Sequence, residues 1–386
     1  MKIVSVEPTP SPNVMKLNLD ESLEPGKSYN VSREKQEGAP DYLRKLVAID
    51  GVTGVFQVLD FISLERHPKA DWETVLAAAR AVLGETAPTK ETKTGNLVTD
   101  TSEDASFGEV EVQIQQIKDI PMQVKIIKNG EETRFGLPER FKEAVMQAQK
   151  ATTNLVFERK WVQQKPRYGD VQEVGAQVVE EISAAYDEER LKRLVELAFA
   201  SDQEKEKQKT AISREEVLAA FREEDWKKRY AALEQFEPSL DDTDILDLAL
   251  SDSKAAIRRL AVVYLGFLEN KEVLPFLYRA LKDASPIVRR TAGDTLSDLG
   301  YAEAIPAMCE VLTDPNKLVR WRAARFLYEI GDETALPALR QAANDREFEV
   351  RLQARMALER IERGEEASGT VWQQMMRKME EDRKDQ

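Results

Sequence analysis

The two side chains most used for metal binding and nucleophilic chemistry, histidine and cysteine, occur once each, at His67 and Cys309. A structural zinc site or an iron–sulfur cluster needs several such ligands. A serine triad needs a histidine beside its nucleophile, and an intramolecular disulfide needs a second cysteine. The sequence therefore predicts no metal, no cofactor and no catalytic residue, and we expect His67 in a solvated connection.

Aspartate and arginine instead recur together at a fixed spacing. Each aspartate stands six residues before an arginine, and the pair repeats every 31 residues. Such pairs suit acid–base chemistry or an anion ladder, but a catalytic site is needed once. An aspartate before a helix caps N–H groups, and an arginine can bond a neighbouring unit's aspartate or loop carbonyls, so we interpret the columns as structural. The pairs are Asp252 with Arg258, Asp283 with Arg289, Asp314 with Arg320, and Asp345 with Arg351.

Arginine and tryptophan form the densest basic and aromatic cluster of the same repeats. Arg290 and Trp321 each follow a ladder arginine by one residue and share a column. Such a cluster is typical of a protein-binding hot spot, and its charge also suits phosphates. The alternative is a set of helix-surface charges offset by nearby acids. The basic and aromatic residues are Arg289, Arg290, Arg320, Trp321, Arg322 and Arg325, and the acids are Asp294, Asp298 and Glu329.

Apolar residues indicate the helices that must position these columns. In one unit they fall at Ile257, Ala261 and Leu265, which is the spacing of one helix face, and equivalents recur every 31 residues. A second helix in each unit opens at a proline, which the first turn of a helix tolerates. Between the two helices, Gly300 and Gly331 are expected to take the left-handed conformation that ends a helix. The prolines are Pro275, Pro306 and Pro337.

A unit of two antiparallel helices cannot bury its apolar faces alone, so neighbouring units must stack. The columns resemble HEAT-like repeats of the short, phycobilisome-lyase-like subclass, and the resemblance covers residues 213–363. It implies a right-handed α-solenoid of about five helical pairs. HEAT-like enzymes that hold iron use histidines, which this array lacks, so the resemblance does not imply an enzyme.

The second helices vary most between units, at two adjacent columns. Variation inside otherwise regular repeats favours a surface selected for binding. One column holds Tyr278, Cys309 and Arg340, and the next holds Arg279, Glu310 and Gln341. The predicted partner-binding residues are Tyr278, Arg279, Cys309 and Arg340, with Arg290 and Trp321 as a competing pair on the first-helix side.

Residues 1–84 have the pattern of a small α+β domain. Strands are predicted at 2–6, 14–19, 55–58 and 61–64, and helices at 41–49 and 72–83, the second capped by Asp71. Three strings resemble the N-terminal domain of Nfu/NifU-type scaffold proteins: TPSPNVMKL, IDGVTGVFQVLDFISL and ADWETVL. In that family a CxxC motif of another domain carries the iron–sulfur cluster. This chain has no CxxC, so the resemblance implies the fold without the cluster.

Three further segments complete the chain. Residues 85–106 alternate threonine with charges and are predicted to be a linker. Residues 107–200 are predicted to form an α+β middle domain. Residues 364–386 are predicted to be a tail or a helix that caps the array, since Trp372, Met375 and Met379 fit one helix face.

The complete arrangement predicts an α+β N-terminal half followed by an all-α HEAT-like solenoid. It resembles the conserved virulence factor C family of Gram-positive bacteria, which implies a role in virulence regulation. The net charge of −14 disfavours a nucleic-acid partner, and no apolar stretch is long enough for a membrane. We therefore expect a non-enzymatic cytoplasmic interaction or adaptor protein that binds other proteins. The alternative is an iron–sulfur assembly accessory factor, or a lyase-like enzyme or chaperone that acts on a cofactor.

Overall fold

A computed structural model describes residues 2–9, 11, 13–24, 27–67, 70–83, 109–128, 131–151, 158–200 and 212–365. The chain divides into two compact units. Unit 1 is Met1–Val110 with Ile127–Glu131 and Pro166–Asp170, and unit 2 is the remainder. The predicted linker at 85–106 and residues 366–386 of the predicted tail lie outside the described residues.

The N-terminal part of unit 1 is a five-stranded antiparallel sheet with two helices, of which the sequence predicts both helices and four strands. Apolar residues alternate along its strands, so Leu17 and Leu64 are fully buried, as is Trp72. The sequence did not indicate the third strand, because Val31 is its one buried residue. The elements are β1 Ile3–Pro8, β2 Val14–Leu19, β3 Ser28–Ser32, α1 Asp41–Val47, β4 Val52–Val58, β5 Phe61–Arg66 and α2 Trp72–Val82. The strand order is β1-β2-β5-β4-β3.

The middle segment forms a second sheet, followed by helices. Its elements are β6 Glu109–Ile117, β7 Ile120–Lys128, β8 Glu131–Gly136, α3 Glu139–Ala148, β9 Arg159–Gln163, β10 Arg167–Tyr168, α4 Val171–Ala185 and α5 Glu188–Phe199. The strand order is β10-β6-β7-β8, and β9 also pairs with β6. Gly175 lets α4 lie close to β8, because a side chain at this position would collide with the ring of Phe135.

The C-terminal half is all helical, which confirms the predicted fold class. Its first helices are α7 Trp226–Gln235, α9 Ala255–Phe267, α11 Pro286–Leu299, α13 Lys317–Ile330 and α15 Phe348–Glu362. The second helices are α8 Thr243–Leu250, α10 Leu274–Ala280, α12 Ile305–Val311 and α14 Leu336–Ala342. A short helix, α6 Arg214–Ala220, precedes them. The residues described thus include four helical pairs and a fifth first helix.

The ends of these helices follow the predicted signals with one correction. The second helices that carry prolines begin one residue before them, so each proline lies in a first turn. Gly300 ends α11 in the left-handed conformation, with φ of 64°. Gly331, however, has φ of −55°. The left-handed prediction is wrong there, and glycine is instead required because a Cβ would meet the carbonyl of Leu327.

Candidate functional site

The aspartate and arginine columns form a continuous ladder between consecutive units. Four arginines each donate two hydrogen bonds to the aspartate of the next unit, at 2.6–2.7 Å from Nε and 2.8–3.1 Å from Nη2. These paired side chains are at most 14% exposed. The pairs are Arg229 with Asp252, Arg258 with Asp283, Arg289 with Asp314, and Arg320 with Asp345.

Each rung also ties together the loop that enters its own first helix. Arg320 Nη1 donates to the carbonyl of Asp314 at 2.9 Å, and Asp314 Oδ1 accepts the backbone N–H of Asn316 at 2.7 Å. The structural interpretation of the columns is confirmed. Arg229 extends the ladder by one rung, although it stands 29 residues before Arg258, so the 31-residue period did not identify it.

Within the ladder, the surroundings of Asp283 favour the charged form of its carboxylate. Burial alone would raise the pKa of Asp283. Hydrogen bonds from Arg258 and from the backbone N–H of Ser285 outweigh burial and leave this pKa below its ordinary value. The carboxylates and guanidiniums of the ladder therefore serve as hydrogen-bond partners for one another.

The predicted surface cluster at Arg290 and Trp321 is not on the surface. Trp321 is 2% exposed and Arg290 is 5% exposed, so the prediction that they form an exposed first-helix binding pair is wrong. Arg290 pairs with Asp294 at 3.0 Å, and its guanidinium lies 5.7 Å from the Trp321 ring centre. Arg322 pairs with the same carboxylate at 2.6 Å and lies 5.3 Å from the ring.

The acids named in the alternative interpretation mostly neutralise these arginines. Asp294 serves Arg290 and Arg322, and Glu329 bonds Arg325 at 2.7 Å. Burial raises the pKa of Glu329, and the attraction of Arg325 opposes this effect only in part. The sequence did contain a signal that this column is buried. The next unit has an apolar residue, Leu352, at the position of Trp321.

The middle segment covers the start of the first-helix side. Helix α4 places Glu181, which is 8% exposed, against Arg259, the residue that shares the column of Arg290. Its carboxylate bonds Arg259 at 3.0 Å and accepts a hydrogen bond of 3.5 Å from the Tyr230 hydroxyl. Near the outside of this contact, Glu180 pairs with Lys254 at 3.0 Å.

The second-helix surface, defined by Tyr278, Arg279, Cys309, Glu310, Arg340 and Gln341, is accessible. Arg279 and Arg340 are exposed, whereas Tyr278 and Cys309 are partly buried. The Tyr278 hydroxyl donates to the carbonyl of Glu303 at 2.9 Å, and Arg340 pairs with Glu362 at 3.0 Å. The structure thus places the predicted residues along α10, α12 and α14, in one row rather than in one pocket.

Grooves between successive second helices differ in whether charges cross them. The groove between α8 and α10 is crossed by the ion pair of Arg279 with Asp247. The groove between α10 and α12 is crossed by the pair of Lys282 with Glu310, at 3.0 Å. The side chains of these two pairs are 45–72% exposed.

The groove between α12 and α14, called here the third groove, is open. Uncharged residues stand here at the positions of the crossing pairs. Cys309 and Gln341 correspond to Asp247 and Arg279, and Thr313 and Gln341 correspond to Lys282 and Glu310. A cavity of about 470 Å³ lies here. That volume is within the range typical of ligand sites. Its walls include the apolar residues Leu312, Pro315, Ala338 and Ala342 and the ladder residues Asp314, Arg320 and Asp345.

The Cys309 thiol in this groove is not an activated nucleophile. Burial, with a smaller effect of Asp332, raises the pKa of Cys309 to about 11. The thiol is therefore protonated at neutral pH and behaves as a small apolar group.

Sequence reasoning missed Thr313, Ala338 and Arg346 of this groove. The available signal was the change from charged to neutral residues at the columns of Lys282 and Glu310.

The described residues also bear on metal binding and on insertion into a membrane. In those residues no group of three or more His, Cys, Asp and Glu side chains is placed to hold a metal ion. Within the same residues, no helix combines the length and the apolar character needed to span a membrane.

Three family sequence models match successive parts of the chain. The model of the scaffold protein Nfu/NifU N terminal matches residues 4–90, and the virulence factor model matches residues 115–195. The HEAT repeats model matches residues 243–316 and 276–359. The resemblances inferred at both ends of the chain are confirmed.

Relatives match over nearly the whole length. Conserved virulence factor C of Staphylococcus haemolyticus is 48% identical over 383 residues, which are 97% of this chain and 99% of that protein. The chain belongs to the conserved virulence factor C family. This family member is also 55% identical to the "Uncharacterized protein YpgR" of Bacillus subtilis over 379 residues, which are 97% of this chain and 98% of that protein.

One solved structure resembles a part of this family member. A crystal structure of a Staphylococcus aureus protein is 37% identical and covers 22% of this chain and 99% of its own, with a TM-score of 0.21.

Proposed function

We propose that this member of the conserved virulence factor C family is a non-enzymatic cytoplasmic adaptor that binds other proteins through its second-helix surface. The observation that carries the proposal is the difference between the two sides of the array. The first-helix side uses its charged and aromatic residues internally, as with Trp321 at 2% exposure. The second-helix surface leaves Arg279 and Arg340 exposed and includes the third groove.

The chemistry of the charged residues supports a binding role rather than catalysis. The recurring carboxylates and guanidiniums bond each other in every rung, at 2.6–2.7 Å from Nε. A general acid or base must instead reach a substrate proton. The net charge of −14 favours protein partners over nucleic acid.

A role in virulence regulation is part of the proposal. It is supported by the names of the staphylococcal relatives, one of which is 48% identical over nearly its whole length. HEAT repeats stack into extended surfaces that suit partner binding.

The test is quantitative affinity purification of the full chain from its own cells. The test variant combines Tyr278→Ala with Arg340→Glu, and the control is Glu196→Arg, an exposed charge on α5 outside the array. We expect the amount of specifically captured protein to fall at least tenfold in the test variant, while its melting temperature falls by no more than about 4 °C. The control should keep them. An unchanged set of captured proteins with the test variant would refute the proposal.

A second function, as an accessory factor in iron–sulfur assembly, is favoured by the match of residues 4–90 to the scaffold protein Nfu/NifU N terminal. Its test is anaerobic purification followed by assays of iron and sulfide, and by identification of captured proteins. Capture of iron–sulfur assembly proteins that survives the Tyr278→Ala and Arg340→Glu changes would support this second function over the first.

A further inference from the structure

We propose that the third groove docks a short extended segment of the partner protein that carries one apolar side chain with an acidic residue close to it. This inference rests on the proposed function and names the chemistry of the partner. It follows from the walls of the groove, the charge at its rim and its length.

The walls of the groove favour an apolar anchor. Leu312 is 4% exposed and Ala342 is 7% exposed, so both already belong to the packed interior beside the cavity. Pro315 and Ala338 add further apolar surface, and Cys309 contributes a neutral thiol. An apolar side chain that enters this cavity leaves water, which favours its binding.

The positive charge at the rim of the groove favours an acidic residue next to the apolar anchor of the docked segment. Three charged residues of the groove are held in the ladder, with Arg320 bonded to Asp345 and Asp314 bonded to Arg289. Arg346, by contrast, is 75% exposed, and its carboxylate contact with Glu347 is 3.6 Å long. That distance is longer than any ion-pair distance in the ladder, so N–H groups of the Arg346 guanidinium can donate charge-assisted hydrogen bonds to a second carboxylate.

The length of the groove favours an extended segment. Its two walls, α12 and α14, have seven residues each. A helix of this size is about 10 Å long. Three extended residues cover about the same distance. An apolar anchor and an acidic residue within three positions therefore fit along one wall.

The ion pair across the preceding groove suggests a variant that would close the third groove. Lys282 and Glu310 form an ion pair across the preceding groove. One repeat later, Thr313 stands at the position of Lys282 and Gln341 at the position of Glu310. Thr313→Lys with Gln341→Glu therefore installs the same crossing pair on two exposed positions. Thr313→Ser with Gln341→Asn changes the same positions without charges and is the matched control.

The experiment is selection of a displayed random dodecapeptide library on the full-length chain, followed by affinity measurement of the selected synthetic peptides. We expect selected peptides to share Leu, Ile, Met or Phe within three residues of Asp or Glu. The closing variant should weaken their binding at least tenfold, and the matched control should not. Arg346→Glu should weaken them at least fivefold, and Arg346→Lys should retain binding.

Several results would overturn the inference. They are a selection in which no peptide depends on the groove, and groove-dependent peptides that are basic or lack an acid. If a synthetic peptide of residues 366–386 bound the groove more strongly than the selected peptides do, the groove would be assigned to the chain's own segment. Concentration-dependent dimerisation lost in the closing variant would assign it to a second copy.

The outcome is separable from that of the proposed function. If the Tyr278→Ala and Arg340→Glu variant loses its captured proteins while the closing variant keeps both proteins and peptides, only the groove inference fails. If the surface variant keeps its captured proteins, the proposed function fails instead.

Discussion

The first-helix and second-helix sides of the array come from the same repeat but use their polar residues differently. On the first-helix side, Arg320 and Asp345 are at most 10% exposed and bond across units. On the second-helix side, Arg279 and Asp247 also bond across units but are 45–49% exposed. The repeated charges of the ladder are thus buried and structural, whereas the varying column of Arg279 and Glu310 is exposed. The predictions below test this contrast, from the largest expected effect to the smallest.

Trp321→Ala should produce the largest loss of stability. It removes a buried ring that Arg290 and Arg322 flank, and large-to-small changes of this kind cost about 3–5 kcal/mol. Urea unfolding followed by circular dichroism measures the loss. Tyr278→Ala, the aromatic control on the second-helix surface, should cost about 1 kcal/mol. Equal losses for the two variants would contradict the contrast.

Arg320→Ala should cost about 3 kcal/mol, because it leaves the carboxylate of Asp345 buried without its guanidinium partner. Arg279→Ala removes an exposed partner and should cost at most about 1 kcal/mol. Both values come from urea unfolding at neutral pH. A small effect at Arg320 would show that the ladder does not stabilise the stacking of units.

Glu181→Ala tests whether α4 is held on the first-helix side. We expect a loss of about 2 kcal/mol, since Arg259 and Tyr230 lose their shared acceptor in a buried place. The neighbouring Glu180→Ala should cost under about 1 kcal/mol, because its pair with Lys254 is 33–48% exposed. Faster proteolysis of the Glu181 variant within residues 158–200 is the second readout. Identical behaviour of the two variants would argue against a buried contact.

The ladder also predicts a pH dependence with a defined sign. The pKa of Asp283 is lower in the folded chain than in the unfolded chain, where it is about 3.9. Its contribution to stability is therefore complete above that value and is lost as the pH falls through the folded pKa. Asp283→Asn should be less stable than wild type at pH 7, and the difference should shrink as the pH falls below about 4. Urea midpoints across pH 2–7 measure this, and a constant difference would contradict it.

The smallest effect concerns the reactivity of Cys309 and leaves stability unchanged. With a pKa of about 11, its thiolate fraction at pH 8 is on the order of 0.1%. Alkylation by iodoacetamide, followed by mass spectrometry, should be about 100-fold slower than for free cysteine, and urea should abolish the difference. Rapid alkylation of the native chain would show an exposed, activated thiol in the third groove.

Much of the fold was determined by local sequence patterns. The 31-residue period, the prolines at the second helices and the strand alternation in β2 and β5 each depend on residues close in sequence. Helix and strand periodicity act over a few residues, so they can be read without tertiary information. The Arg and Asp columns could be interpreted as a ladder for the same reason, since repetition implies that each unit meets an equivalent neighbour.

The tertiary structure alone decided which polar residues remained accessible. Trp321 and Arg290 have the residue types of a binding surface, yet packing of neighbouring first helices buries them. The third groove is open because Thr313 and Gln341, on two different units, both lack the charge of their counterparts. Burial of these polar side chains depends on what other units place against them, and periodicity along one helix does not specify that contact.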